Sequence, residues 1–103
     1  MKLGIVVTDA AYLPIATGLI DAARAREWET KCFLTDTGVM LLADAGFVER
    51  AQARPNSVAL CEHSAKKYAG GAFDISALAD RIVVGGQTQN AELVRLCDKV
   101  LVF

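Results

Sequence analysis

Residues 57–67 read SVALCEHSAKK, a short apolar run that ends at Cys61 and passes directly into a polar, helix-compatible segment. A run of this kind is typical of a strand that leads into a helix in a parallel α/β sheet. Ligands and reactive groups collect beyond the carboxyl ends of the strands in such sheets. Cys61 is therefore both a marker of the fold and the first candidate for a functional residue.

The same alternation of apolar runs and helical segments continues on both sides of residues 57–67. The predicted strands are Lys2–Val7, Thr30–Leu34, Ser57–Leu60, Arg81–Val84 and Lys99–Phe103. The predicted helices run from Leu13 to about Arg26, from Val39 to about Ala45, from Cys61 to Ala69, from Asp74 to Leu78 and from Thr88 to Cys97. Gly46 is expected to break the second helix, which would otherwise continue to Ala53. This pattern predicts one three-layer α/β/α domain over residues 1–103, with an open five-stranded parallel sheet.

The amino-acid composition bears on two kinds of binding partner, a second copy of the chain and nucleic acid. Apolar residues make up 53% of the chain even with glycine left out, against roughly 45–50% for an average soluble domain. Because a small domain has a large surface, this excess predicts a homo-oligomer in which another subunit covers an apolar face. The net charge is −1 and no basic stripe is present, which disfavours binding to nucleic acid.

Residue counts also bear on cofactors and compartment. The single histidine excludes a His-rich metal site, and the three cysteines contain no CxxC pair, which disfavours structural zinc and a disulfide framework. We expect no metal and no organic cofactor. No apolar stretch approaches the roughly 20 residues of a membrane helix, and the first apolar run is too short for a signal peptide. The expected location is the cytoplasm.

Chemistry-bearing residues follow each of the first four predicted strands. They are Thr8-Asp9, Thr35-Asp36-Thr37-Gly38, Cys61 and Gly85-Gly86-Gln87-Thr88. Parallel strands place their carboxyl ends at one edge of the sheet, so we expect these segments to gather there. Cys61 is the only strong nucleophile among them.

Helix geometry gives Cys61 a means of activation. If Cys61 begins the third helix, the backbone N–H groups near His63 and Ser64 point at its sulfur and stabilise a thiolate. Lys66 would add positive charge, whereas Glu62 would oppose ionisation. In a helix His63 faces away from Cys61, although a non-helical first turn would let it line the same pocket. The alternative is an inert cysteine packed at a strand end.

The two aspartates invite a phosphoacceptor interpretation. A response-regulator receiver needs an acidic pair after the first strand and an acceptor aspartate after the third strand. Here Asp9 stands alone and Cys61 occupies the third position. We therefore expect Asp9 and Asp36 to be helix caps.

The remaining candidates have ordinary structural interpretations beside the functional ones. Gly85-Gly86 before a helix could cradle an anion through backbone N–H groups, but a tight turn with a Thr88 cap is favoured. Tyr12 is expected to pack, or to line the Cys61 pocket from the first loop. Cys32 and Cys97 are expected to be packing residues.

Three short motifs, in this order and spacing, resemble a known family. They are Thr8-Asp9 with Tyr12-Leu13-Pro14-Ile15-Ala16, then Thr35-Asp36-Thr37-Gly38-Val39, and Cys61-Glu62-His63-Ser64-Ala65. The chain resembles the DsrE/DsrF-like sulfur-relay proteins, small α/β domains that include TusD-type subunits. The resemblance implies that Cys61 accepts sulfur as a persulfide and passes it between a sulfur-donor and a sulfur-acceptor protein. It also implies a homo- or hetero-oligomer with the cysteine near an interface.

Three hypotheses follow from the sequence. The first is a sulfurtransferase-like sulfur carrier that uses Cys61, with Ser64, Lys66 and His63 in support. The second is a non-catalytic oligomeric module that binds a small anion or a protein through the Gly85-Gly86 turn and the loop 35–38, with an inert Cys61. The third is redox sensing at Cys61. The pKa and accessibility of the Cys61 thiol distinguish the carrier from the binding module.

Overall fold

The computed structural model describes all residues from 1 to 103. Its five strands form a single sheet in which every neighbouring pair is parallel. They are β1 (Lys2–Val7), β2 (Glu29–Leu34), β3 (Val58–Cys61), β4 (Val83–Gly85) and β5 (Lys99–Val102). The strand order is β4-β3-β2-β1-β5. The predicted open, five-stranded parallel sheet is thus confirmed, and the structure adds the order that the sequence left open.

Helices fill the connections between the strands. The α-helices are α1 (Leu13–Ala25), α2 (Ala45–Ala53), α3 (Glu62–Ser64), α4 (Ile75–Leu78) and α5 (Gln87–Leu96). Two 3₁₀ segments, Ala10–Tyr12 and Asp36–Ala43, follow β1 and β2, and α3 continues as a π-helical turn over Ala65–Ala69. That turn ends at Gly70, whose φ of 54° suits glycine and agrees with the predicted stop. None of these helices has the length and apolar character needed to cross a membrane.

Side chains alternate between the two faces of the sheet, and each face has its own core. Ile5 and Leu60 belong to a large cluster of 19 buried residues that also takes in Ile20 of α1 and Phe47 of α2. The opposite face carries a cluster of four buried residues, Val6, Phe33, Cys61 and Leu93, the last from α5. Since the β4-to-β5 connection returns across the sheet in the reverse direction, its right-handed crossover places α5 on the second face. The three-layer arrangement follows.

The break before α2 lies two residues earlier than predicted. Gly46 is inside α2, and the helix begins after Asp44, whose carboxylate accepts a hydrogen bond of 2.9 Å from the backbone N–H of Phe47. A side-chain N-cap of this kind satisfies an otherwise unpaired N–H. The preceding segment, Asp36–Ala43, is 3₁₀ rather than α-helical. The capping aspartate, rather than the glycine, therefore divides the two segments.

Every strand after β1 departs from its predicted bounds by one or two residues, and β3 and β4 do so at both ends. β3 extends to Cys61 instead of stopping at Leu60, because Cys61 pairs with Gly85 of β4. β4 covers Val83–Gly85 and not Arg81–Val84, since Ile82 is buried but its backbone N–H bonds to Leu78 in the preceding turn. The third helix consequently starts at Glu62, and Cys61 is the residue that caps it.

Candidate functional site

Cys61 lies at the carboxyl end of β3, between the ends of β2 and β4. Its backbone is extended, with φ of −80° and ψ of 112°, and it is the N-cap of α3. The residue packs with Phe33 and Leu93 and keeps only 7% of its surface exposed. Cys61 is therefore at the predicted edge, with a narrow opening to solvent.

Ser64 ties the segment after β3 to the segment after β2. Its Oγ accepts a hydrogen bond of 2.9 Å from the backbone N–H of Asp36 and lies 3.3 Å from Thr35 Oγ1. Ser64 is only 4% exposed, so this link is shielded from water. These contacts restrain the side chains of Ser64 and Thr35 near Cys61.

Two opposing effects set the pKa of the Cys61 thiol. Burial raises it, but hydrogen bonding from Ser64 (its hydroxyl and its backbone N–H), the backbone N–H of His63 and the Thr35 hydroxyl lowers it more, so the net pKa lies below its ordinary value. The Cys61 side chain forms no N-cap hydrogen bond within α3. The N–H groups of His63 and Ser64, which helix geometry predicts near the sulfur, are among the causes of the lowered pKa.

The other two cysteines have the opposite character. Burial raises the pKa of Cys32 to about 12, and this residue is 3% exposed within the large core. Burial also raises the pKa of Cys97, which is half-buried after α5. All three thiols are free. Cys61 is thus the thiol that this fold favours as a thiolate, in agreement with packing roles for the other two.

Lys66 and His63 do not bring their side chains to the thiol. Lys66 Nζ lies 3.8 Å from Glu62 Oε1, one turn earlier, and both side chains are mostly exposed. Neither charge contributes to the pKa of Cys61. His63 is exposed as well and acts through its backbone N–H alone. Lys66 is instead paired with Glu62, the carboxylate that was expected to oppose ionisation of Cys61.

Gly85 lies beside Cys61, because the two residues pair across β3 and β4. Gly86 is the next residue along the chain. The N–H of Gly86 donates a hydrogen bond of 2.7 Å to Gln89 Oε1, and a Cβ on Gly85 would collide with that amide. The predicted cap by Thr88 is wrong, since Gln89 supplies the side chain that caps α5. An anion at this turn would first have to displace the Gln89 amide.

The two aspartates differ in their roles. Asp9 caps the first 3₁₀ segment, because its carboxylate accepts a hydrogen bond of 2.8 Å from the N–H of Ala11. Asp36 caps nothing; it is exposed, has a φ of 50°, and contributes its backbone N–H to Ser64. The prediction of a cap is therefore confirmed for Asp9 and wrong for Asp36.

Gly38 and Tyr12 help to shape the edge at some distance from the sulfur. A Cβ on Gly38 would collide with the carbonyl oxygen of Val7, so only glycine lets the second 3₁₀ segment pass this close to β1. The ring centroid of Tyr12 lies 5.7 Å from that of Phe103, after β5. Because β1 and β2 separate β5 from β3, Tyr12 packs there and lies outside the group around Cys61.

Thr35 was expected at this edge, but not as a residue that acts on Cys61; its hydroxyl helps to lower the pKa of that thiol, because β2 neighbours β3. Gln89 was not predicted as a member of the site. Gln89 follows Gly86 by three residues, which is the spacing of a capping box. Nowhere in residues 1–103 do three or more His, Cys, Asp or Glu side chains gather as metal ligands.

The comparisons with known proteins add no name to this geometry. No model of a protein family matches the chain, and no curated protein is a significant match to it. The functional argument therefore rests on the residues around Cys61.

Proposed function

We propose that the protein is a sulfur carrier of the DsrE/DsrF-like kind, which accepts sulfur on Cys61 as a persulfide and passes it to a partner. The observation that carries this proposal is the thiol at the carboxyl end of β3, whose pKa is lowered by the start of α3 and by two hydroxyl groups. A thiolate is the reactive form of cysteine. The other cysteines of the chain have raised pKa values and do not compete.

The transfer consists of two displacements at sulfur. The Cys61 thiolate attacks the outer sulfur of a donor persulfide or polysulfide, forms a new S–S bond, and releases the donor as a thiolate. An acceptor thiolate then attacks the outer sulfur of Cys61-S-SH and restores the Cys61 thiolate. The sulfane sulfur changes hands with its oxidation level unchanged, so neither an external oxidant nor a cofactor is needed.

Ser64 and Thr35 fit the role of thiolate donors in this cycle. Cys61 is the nucleophile in the first step and the leaving group in the second, and a lowered pKa favours departure. The hydrogen bond from Asp36 N–H to Ser64 Oγ, at 2.9 Å, uses an acceptor site of the hydroxyl and leaves its proton free to point at the sulfur. The Ser64 hydroxyl is thus already oriented before a sulfur donor binds.

The 7% exposure of Cys61 bears on the kind of donor. So small an exposed area favours a small polysulfide, or a persulfide carried on a protruding segment of a donor protein, over a flat protein surface. Once loaded, the outer sulfur extends about 2 Å beyond Sγ, which brings it closer to an acceptor.

The binding-module hypothesis receives less support from the same edge. The N–H groups of Gly86, Asp36 and Gly38 already donate to Gln89, Ser64 and Thr35. An anion at the turn or the loop would therefore have to compete with these bonds for the three N–H groups. Redox sensing would use the same activated thiol as sulfur transfer. The mass of the adduct on Cys61 distinguishes these two functions.

We also propose that a second copy of the chain covers exposed apolar residues. β5 is an edge strand, with Val102 65% exposed and Leu101 40% exposed. An edge with apolar side chains invites pairing with another chain. Free thiols in every position fit a reducing compartment such as the cytoplasm.

The direct test of transfer is a single-turnover release of sulfur. Protein treated with polysulfide and freed of excess reagent is mixed with cyanide, which takes up sulfane sulfur as thiocyanate. We expect about one thiocyanate for each native chain and for Cys97→Ser, and none for Cys61→Ser. Equal release from Cys61→Ser would contradict the proposal.

A further inference from the structure

A large cavity lies at the opposite edge of the sheet from Cys61. It has a volume of 530 Å³ and is bordered by the end of α1, the start of β2 and the loop between α2 and β3. This volume falls within the roughly 300–1,000 Å³ of small-molecule sites. The cavity is separated from Cys61 by the length of β3, so nothing in the sulfur chemistry accounts for it.

Three cationic side chains line the cavity without a carboxylate partner. They are Arg24, Lys31 and Arg54, and none of them belongs to any of the ion pairs of the structure. Each is bound only to a backbone carbonyl oxygen, at 2.8 Å for Arg24, 3.3 Å for Lys31 and 3.5 Å for Arg54. Their positive charge is therefore available to a ligand.

The two carboxylates of the cavity wall do not cancel this charge. Glu29 forms an ion pair of 3.3 Å with Lys2, a lysine that does not line the cavity. Glu27 is exposed, in a left-handed turn with φ of 62°, and pairs with none of them. Three unpaired cations thus face one unpaired carboxylate, and the excess matches an anion with two charges.

Two buried polar atoms at the cavity wall lack any hydrogen-bond partner. They are Arg24 Nε and Ser57 Oγ. Ser57 is only 8% exposed, and a buried hydroxyl or guanidinium N–H without a partner costs free energy. Burial and the nearby Arg54 charge also lower the pKa of Arg24. Groups left in this state are rare in native proteins, and each calls for an explanation.

We propose that this cavity binds a phosphate group, either free or on a small organic molecule, through Arg24, Arg54 and Lys31. The planar fork of arginine matches the oxygens of a phosphate with two parallel hydrogen bonds. The Ser57 hydroxyl, which has no partner within the protein, is a further candidate donor. The half-buried side chain of Trp28, also in the cavity wall, would be the apolar contact for the organic part.

Trp28 provides a direct signal for the test, since it is the only tryptophan in the chain. We would titrate the full protein with glycerol 3-phosphate, inorganic phosphate and glycerol at constant ionic strength and record tryptophan fluorescence. We expect a saturable change with one or both phosphates and none with glycerol. Tighter binding of glycerol 3-phosphate identifies an organic phosphate as the ligand, and tighter binding of inorganic phosphate identifies the free ion.

Substitutions at positions outside the buried core keep the test independent of folding. Arg54→Gln and Lys31→Gln should each weaken phosphate binding by about tenfold, the loss expected for a charge-assisted hydrogen bond. Lys99→Gln, which removes an exposed lysine of β5, and Cys61→Ser should leave binding unchanged. The absence of a saturable change in the native protein would overturn the proposal. So would equal weakening by Lys99→Gln, which would indicate attraction to overall charge.

Discussion

Ser64 and Asp36 are joined across two strand ends by a hydrogen bond of 2.9 Å from the Asp36 backbone N–H to Ser64 Oγ. The bond holds the serine hydroxyl where it lowers the pKa of the Cys61 thiol. A contact between residues 28 positions apart in the chain thus prepares the nucleophile. The arrangement ties reactivity to the packing of β2 against β3.

Ser64→Ala is expected to raise the pKa of Cys61, because the thiolate loses its main hydroxyl donor. The rate of Cys61 alkylation by iodoacetamide, followed on the Cys61 peptide, should show its midpoint at higher pH than in the native protein. The free energy of unfolding should fall by about 1 kcal/mol, since the Asp36 N–H also loses its partner. Ser76→Ala, at an exposed serine of α4, is the matched control. An unchanged midpoint in Ser64→Ala would contradict this account of the site.

Cys32 is expected to make the fold sensitive to alkali. Its pKa is about 12 in the folded protein against an ordinary 9.0, so above pH 9.0 the unfolded chain loses this proton first. Unfolding then becomes easier as pH rises, by up to roughly 1.4 kcal/mol per pH unit for this group. Chemical denaturation should show a shallower decline for Cys32→Ala than for the native protein above pH 9.0, and a constant offset below it. Parallel declines across the whole range would show that burial of Cys32 has no such effect.

Gly38 and Gly18 should respond oppositely to the same change. A Cβ at position 38 would collide with the Val7 carbonyl oxygen, whereas nothing lies within 4 Å of a Cβ at position 18. Gly38→Ala should therefore destabilise the protein by about 2 kcal/mol or more. Gly18→Ala, in the interior of α1, should stabilise it by about 0.5–1 kcal/mol. Thermal unfolding of the two variants is the measurement, and equal effects would show that the close approach to β1 is unimportant.

Val102 provides a test of self-association. The native chain is expected to sediment as an oligomer, and Val102→Lys as an 11.0 kDa monomer, because the lysine would place a charge on the exposed apolar edge of β5. Ala77→Lys adds the same charge to α4 and should leave the oligomer intact. A monomeric native chain at micromolar concentration would contradict the proposed cover by a second copy.

The sequence predicts the elements of this fold better than their arrangement. Apolar, β-branched runs such as Lys2–Val7 indicate buried strands whatever their neighbours are. The strand order depends on pairings between distant segments, which no local pattern records. The helix boundary was predicted at Gly46, but it lies at Asp44. A side-chain cap can thus determine where a helix begins even when a weak helix former follows it.

The candidate site divides in the same way. The N–H groups near His63 and Ser64 follow from helix geometry at Cys61, so they could be predicted. The Thr35 hydroxyl acts on Cys61 because β2 lies beside β3, a pairing that no local pattern records. The pairing of Lys66 with Glu62 follows from their (i, i+4) spacing in a helix and could be predicted from the sequence.

Intact-mass analysis after treatment with a polysulfide tests the central claim most directly. The reduced native protein should gain one sulfur atom per chain and lose it on addition of reductant, while Cys61→Ser gains none. Cys97→Ser, matched in chemistry at a half-buried thiol, should load as the native protein does. A native protein that gains no sulfur, or a Cys61→Ser variant that gains as much, would contradict the assignment of Cys61 as the sulfur acceptor.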